Sequence, residues 1–170
     1  IVSGMASYID AAAIVSFGTA MVIYQAALGL NEAEIGLASG GLTLGIAVGA
    51  LVGGRLGDRF GRRPIFTVTM FMIVAASVAL IFAPSFPIVL ISAVALGLGS
   101  GADLPVSLST ISEAASDDNR GKLLGFSNLL WSVGGIACAL LAAAVASLGL
   151  LGGQVLFAHI AVVSALVLLG

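Results

Sequence analysis

Between two long apolar runs, the chain reads Gly54-Arg55-Leu56-Gly57-Asp58-Arg59-Phe60-Gly61-Arg62-Arg63-Pro64. This stretch contains four of the six basic residues of the chain, and the other two, Arg120 and Lys122, lie close together further on. Lys and Arg in short loops mark the cytoplasmic side of a membrane protein. We therefore predict that both basic segments are cytoplasmic loops between membrane-spanning helices.

The composition excludes an ordinary soluble domain. Of the 170 residues, 60% are hydrophobic and 8% are charged, and the mean hydropathy is +1.22, whereas soluble domains carry roughly 25% charged residues. Basic residues confined to two short segments also disfavour nucleic-acid binding. We do not expect an enzyme, because the sequence has no metal-ligand cluster, nucleophile–base set or phosphate loop, and Cys138 and His159 are the only residues of their types.

The apolar runs predict an all-α membrane protein. A bilayer core of about 30 Å requires a helix of roughly 20 residues. Polar residues, Pro and Gly interrupt the apolar runs, and these interruptions divide the chain into predicted helices at about 1–28, 34–54, 65–83, 87–112, 123–148 and 151–170. The segments at 55–64 and 113–122 are basic loops, while the other three loops have no Lys or Arg. Both ends of this stretch should therefore be cytoplasmic, in the inner or plasma membrane of the cell.

The second predicted helix carries a glycine at every fourth position. The repeat comprises Gly41, Gly45, Gly49, Gly53, Gly57 and Gly61. Small residues at this spacing form a smooth groove that lets another helix approach closely in lipid. The groove could serve static packing or allow a partner helix to slide.

The basic stretch also resembles the signature of the major facilitator superfamily, G-x-L-(A/G)-D-(R/K)-x-G-R-(R/K), which joins helices two and three in that family. The matching residues are Gly54, Leu56, Gly57, Asp58, Arg59, Gly61, Arg62 and Arg63. The resemblance implies two inverted three-helix repeats that together form the N-terminal half of a twelve-helix transporter. It also implies that a C-terminal six-helix half of the same protein is a partner of this half.

Further motifs resemble those of the sugar porters and related metabolite:proton symporters. Glu113 and Arg120 have the spacing of a Glu-x6-Arg element, and residues 99–106 resemble the G-x-G-G-x-x-P-V run of the second group. Asp10 matches the acid that many proton symporters carry in helix one, and Asn128 lies where sugar porters often have a sugar-contacting Gln. Many relatives carry an Arg twenty residues before the Glu, but this chain has Ala93 there, so an Asp–Arg pair of that form is excluded.

Asp10 and Asp103 are the acids that fall well inside predicted apolar helices, near mid-depth. An intramembrane acid is a functional candidate by default. No Lys or Arg falls in the predicted spans, so either acid could take up and release a proton, or be a neutral structural group. Trp131 follows Asn128 by three positions, hence on one helical face, and both are candidates for lining a solute cavity or for ordinary helix contacts.

The charged residues near the cytoplasmic surface form a second candidate set. The resemblance implies that Asp58, Arg59, Arg62, Arg63, Glu113 and Arg120 form ion pairs that hold one conformation until transport breaks them. The alternative is that the arginines only fix the topology.

The leading hypothesis is a secondary active transporter, a proton-coupled symporter of a small polar metabolite such as a sugar or polyol, driven by the proton gradient without a bound cofactor. Its expected partners are the solute, protons and the lipid bilayer. A facilitator or efflux antiporter of the same fold is the nearest alternative, and a transporter-like membrane sensor is an alternative of another class.

Overall fold

The computed structural model describes residues 2–116 and 119–169. Six helices account for nearly all of this part of the chain: α1 Val2–Leu28, α2 Glu32–Phe60, α3 Arg62–Ile81, α4 Phe86–Ala114, α5 Arg120–Val145 and α6 Leu150–Leu169, with a 3₁₀ turn at Ala146–Leu148. Each of the six helices is long and apolar enough to cross a membrane. The predicted outermost residues, Ile1 and Gly170, and Asp117 and Asp118 of the fourth predicted loop lie outside the described residues.

The segment at 55–64 is not a loop, and this prediction is wrong. Helix α2 continues through the charged residues to Phe60, α3 begins at Arg62, and Gly61 alone joins them. Gly61 has φ +93°, a conformation that a residue without Cβ adopts easily. Charged side chains end the hydrophobic span but not the helix, because Arg is a good helix former in water. Pro64 lies in the first turn of α3, where its missing N–H removes no helical bond.

Helix α2 also begins earlier than predicted, at Glu32. Asn31 is its N-cap, and the Asn31 Oδ1 accepts a hydrogen bond of 2.9 Å from the backbone N–H of Glu34. The Glu34 carboxylate accepts in return from the backbone N–H of Asn31 at 2.9 Å. This reciprocal capping box satisfies two donors that the first turn leaves without helical partners. A local polar motif therefore sets where the helix starts, while hydropathy sets only where the apolar span starts.

The helix pairs repeat in two sets, as expected for two three-helix repeats. Helix α2 packs on α4 and α5 packs on α1; likewise α3 packs on α4 and α6 packs on α1, while α3 and α6 pack on each other. If α1 is exchanged with α4, α2 with α5 and α3 with α6, the same set of packed helix pairs results. The core between the helices includes Phe17, Tyr24, Met70, Leu96 and Phe157.

Helix α2 approaches α4 closely along its glycine face. A Cβ on Gly45 would lie 2.7 Å from the carbonyl oxygen of Val94, and one on Gly53 would lie 2.5 Å from the Cα of Ala102. Gly49, between them, faces the backbone of Leu98. Gly41, at the outer end of the face, meets the side chains of Leu90 and Val94 instead. The glycine repeat therefore brings the two backbones together over about two helical turns, from Gly45 to Gly53.

Candidate functional site

A cleft of about 290 Å³ opens between α1, α4 and α5. Its lining residues are Ser7, Leu104, Leu108, Leu124, Ser127, Asn128 and Trp131. The hydroxyl and amide groups come from α1 and α5, while α4 contributes leucine. No ionisable side chain belongs to this lining. The cleft therefore offers one polar wall, one apolar wall and an aromatic side chain to a solute.

Contacts between α1 and α5 fix the polar wall. The hydroxyl oxygens of Ser7 and Ser127 are 2.7 Å apart and form a buried hydrogen bond. Further along, α5 lacks a side chain at Gly134, where the backbone of Tyr8 approaches it. Asn128 is exposed next to buried Ser127, and Trp131 is 44% exposed. An exposed Trp in a membrane bundle leaves its ring available to stack against another molecule or the other half of the protein.

Asp10 of α1 is buried, with 1% of its surface exposed. The hydroxyl of Ser100 in α4 donates a short hydrogen bond to Oδ1 of Asp10. Within residues 2–116 and 119–169, Oδ2 of Asp10 has no hydrogen-bond partner. A buried carboxyl oxygen without a donor is costly when it carries charge. Asp10 therefore has the capacity for a further proton, water or ligand contact.

Asp103 of α4 is fully buried, yet it is surrounded by hydroxyl groups. The Ser107 hydroxyl lies 3.0 Å from both carboxylate oxygens. The Thr69 hydroxyl of α3 lies 3.4 Å from Oδ1, although the carbonyl oxygen of Phe66 is a nearer acceptor for it at 2.8 Å. Asp103 thus faces α3, and α3 and α4 share this polar cluster.

The structure separates the four residues that the sequence assigned to one cavity. Asn128 and Trp131 line the cleft, whereas neither Asp10 nor Asp103 belongs to its lining. Each acid is close in sequence to a lining residue, since Ser7 precedes Asp10 by nearly one turn and Leu104 directly follows Asp103. Within the described chain, no group of three or more His, Cys, Asp or Glu residues could hold a metal ion.

Sequence reasoning missed the hydroxyl partners of both acids. Ser107 follows Asp103 by four positions, so the spacing of neighbours on one helical face could have identified it. Ser100 and Thr69 come from other helices than the acid they contact. Their contribution depends on helix rotation and pairing, which the sequence does not specify.

A second cluster joins the basic ends of the helices. Arg62 Nη2 of α3 lies 2.8 Å from Oδ1 of Asp58 in α2 and 2.8 Å from Oε1 of Glu113 in α4. Gly57 makes room for it, since a Cβ there would lie 3.4 Å from Arg62 Nη1 and 3.1 Å from Val106. A single guanidinium therefore connects three helices.

The remaining residues of the charged set have different contacts. Arg120 Nε donates to the carbonyl oxygen of Ser112 at 3.2 Å, which links α5 to the end of α4. The Arg59 guanidinium lies over the ring of Phe60, 5.4 Å from its centroid. Arg63 is exposed at the start of α3, and Gly54 lies beside Pro105 of α4.

Six membrane-length helices, arranged as two matching sets of three with an uncharged cleft between α1, α4 and α5, define a multi-pass membrane protein. The sequence matches the Major Facilitator Superfamily over residues 1–170. The chain belongs to this superfamily.

Relatives in bacteria have similar sequences. The minor myo-inositol transporter IolF of Bacillus subtilis (strain 168) is 33% identical over 166 residues, which cover 96% of this chain and 38% of that protein. The putative metabolite transport protein YaaU of Escherichia coli (strain K12) is 30% identical over 127 residues, covering 75% of this chain and 29% of that protein. The chain thus spans less than half the length of these relatives.

Solved structures share the fold. The proton:xylose symporter XylE bound to 6-bromo-6-deoxy-D-glucose superposes with a TM-score of 0.89 at 18% identity, covering 99% of this chain and 42% of that one. The inward-open xylose transporter XylE from E. coli gives a TM-score of 0.87 at 19% identity, with 99% and 45% covered. The six helices therefore correspond to about half of a complete transporter fold.

Proposed function

We propose that the full-length protein is a proton-coupled symporter that moves a small, neutral, polar solute across the cell's inner membrane by alternating access. The observation that carries this proposal is an uncharged cleft lined by Ser7, nearly one turn before the buried acid Asp10, whose Oδ2 lacks a partner among the described residues. The cleft supplies solute contacts, and the acid supplies a site for the coupled proton.

The lining chemistry favours a sugar or a cyclic polyol. Asn128 and the paired hydroxyls of Ser7 and Ser127 can exchange hydrogen bonds with solute hydroxyl groups. Trp131 can cover the apolar face of a ring, as aromatic side chains do for amphipathic ligands. An anionic solute would leave its charge without a cation in this half of the protein. The names of the inositol and xylose relatives agree with this solute class.

Asp10 is the proposed coupling residue. A proton from water on one side would neutralise its carboxylate, and the same proton would leave to water on the other side after the cavity reorients. Sites of this kind near the midplane are typical of transporters built from inverted repeats. Residue 93 is Ala and carries no positive charge. The negative charge of the Asp10 carboxylate is therefore neutralised by the bound proton and not by an arginine at that position.

The cluster of Asp58, Arg62 and Glu113 is the proposed cytoplasmic latch. Its partners come from three helices whose ends must move relative to the other half during transport. Exposed ion pairs contribute about 0–1 kcal/mol each, an energy that suits exchange between states of similar stability.

Proton movement in cells tests this function. Lightly buffered cells expressing the full-length protein receive myo-inositol, D-xylose, nicotinamide or an organic cation, and external pH is recorded. We expect alkalinisation with a polyol or sugar, and loss of the signal in Asp10→Asn while solute exchange continues. The matched control is Glu32→Gln, an exposed acid at the far end of α2, which should behave as the parent.

Other outcomes identify the alternatives. Uptake without a pH change, unaffected by Asp10→Asn, would make the protein a facilitator. Acidification with efflux of the solute would indicate an antiporter, and binding without flux would indicate a sensor.

The cleft has its own test. Asn128→Ala should raise the half-saturating solute concentration about fivefold, since a hydrogen bond to a buried solute contributes about 1 kcal/mol. Leu129→Ala is the control because Leu129 is exposed but does not line the cleft. Equal effects of the two variants on uptake would remove Asn128 from the solute site.

A further inference from the structure

The two buried acids have unequal surroundings. At Asp103, the Ser107 hydroxyl is equidistant from both oxygens at 3.0 Å, so each oxygen lies within reach of a donor; the Thr69 hydroxyl, at 3.4 Å from Oδ1, has a nearer acceptor in the Phe66 carbonyl oxygen. This symmetric placement suits a carboxylate whose charge is spread over both oxygens. Hydrogen bonds donated to an ionised group are stronger than neutral ones, so Asp103 has the better support for a negative charge.

Asp10 has weaker support for a charge. Ser100 donates to its Oδ1, but no group in the described part of the chain donates to Oδ2, which is fully buried. Ionising this carboxyl would leave one charged oxygen without compensation, at a cost that burial makes large. A proton on Asp10 removes that cost.

The two acids are also close enough for their charges to interact. Ser100, which contacts Asp10, precedes Asp103 by three positions on α4. The Cβ atoms of Ser100 and Asp103 are therefore roughly 5–6 Å apart on one helical face. Two negative charges close together in a buried site repel strongly, so the state with one proton on the pair is favoured.

No other ionisable group of the described helices competes for this role. Among the helices packed against α1, α4 contributes Asp103, α5 contributes Cys138 and α6 contributes His159 to the membrane interior. His159 Nε2 is 2.9 Å from the hydroxyl of Tyr8, so its contact lies on another side of α1. The charged residues of α2, and all others on α4 and α5, lie within two turns of helix ends.

We propose that Asp103 is a fixed, ionised positioning residue, and that its charge holds the transported proton on Asp10 until the cavity opens. This inference rests on the proposed function. The transported proton binds the Asp10 carboxylate from water and returns to water, while Asp103 neither gains nor loses a proton. An arginine near Asp10 would stabilise the ionised carboxylate, whereas the negative charge of Asp103 stabilises the protonated form of Asp10.

Infrared spectroscopy of the full-length protein in lipid nanodiscs tests the assignment with protons as the only ligand. The carboxyl C=O band that disappears in Asp10→Asn reports the protonated acid, and its intensity is followed against pH. In Asp103→Asn, the midpoint of this titration should move to lower pH by on the order of one unit, because removing a negative charge eases proton loss from Asp10.

Two further variants make the test robust. Ser107→Ala removes the donor that supports the Asp103 charge, and should move the midpoint in the same direction by less. Thr110→Val is the matched control, because this α4 hydroxyl bonds the carbonyl oxygen of Val106 at 2.7 Å; its midpoint should equal that of the parent. Ser107→Ala decides the question if Asp103→Asn does not fold.

The results separate the inference from the function on which it rests. An unmoved midpoint in both Asp103→Asn and Ser107→Ala would overturn the inference while leaving Asp10 as the coupling acid. A band that vanishes in Asp103→Asn instead of Asp10→Asn would assign the proton to Asp103. If neither substitution removes a titrating band, the proposed coupling site itself fails.

Discussion

Arg62 binds two carboxylates with one nitrogen, since Nη2 lies 2.8 Å from both Asp58 and Glu113. Each pair is individually weak because both acids are more than half exposed. Removing one carboxylate leaves the other in place to hold the guanidinium. At the level of residues, the proposed latch is therefore a shared interaction, and the effect of removing both carboxylates should exceed the sum of the effects of removing each one alone.

This arrangement predicts non-additive transport kinetics. Asp58→Asn and Glu113→Gln should each change the maximal transport rate about twofold or less, because exposed pairs contribute about 0–1 kcal/mol. The double variant should change it by more than the product of the single effects, and Arg62→Ala should match the double variant. Initial rates of solute uptake measure all four proteins. Multiplicative effects would show that Arg62 does not couple the two acids.

At the scale of helices, the contact of α2 with α4 depends on the absence of side chains. A methyl group at Gly49 would meet the backbone of Leu98, which cannot move without displacing α4. Gly40 lies on the same helix with nothing within 4 Å of an added Cβ. Gly49 and Gly40 therefore differ in whether another helix packs against them.

Gly49→Ala should therefore destabilise the protein by about 1–3 kcal/mol, as overpacking of a close contact does. Gly40→Ala should be neutral or stabilise α2 slightly, because Ala favours helix more than Gly. Thermal unfolding of the two variants in detergent measures the difference. If both variants melt with the parent, the α2–α4 contact is looser than the backbone distances indicate.

The glycine repeat illustrates what the sequence can and cannot predict at this scale. Spacing of four residues indicated a close helix contact, because packing in lipid depends on small side chains. It did not identify α4 as the partner. The predicted loop at 55–64 failed because hydropathy detects where lipid ends, whereas backbone geometry at Gly61 decides where the helix ends.

For the whole molecule, six spans could be predicted because each span is a local property of its own residues. The division between cleft and buried acids could not be predicted in this way. Asn128 and Asp10 lie on different helices, and their separation depends on how α1, α4 and α5 rotate against one another. The charged residues at the helix ends predict a further property, namely the side of the membrane that each connection faces.

Thiol labelling tests that orientation. Ser85→Cys lies in a connection without Lys or Arg, and its side chain makes no capping hydrogen bond. Gly121→Cys lies between Arg120 and Lys122, with open space around an added Cβ. Basic residues resist transfer across the membrane, so a membrane-impermeant maleimide should label Ser85→Cys in intact cells and Gly121→Cys only after permeabilisation.

The parent segment supplies the control for this labelling, because its one cysteine, Cys138, is buried and should remain unlabelled in both conditions once any cysteine elsewhere in the full-length protein is replaced by serine. Labelling of Gly121→Cys in intact cells, with protection of Ser85→Cys, would invert the topology. The Arg62 cluster would then lie on the outer face of the membrane and not on the cytoplasmic face proposed for it.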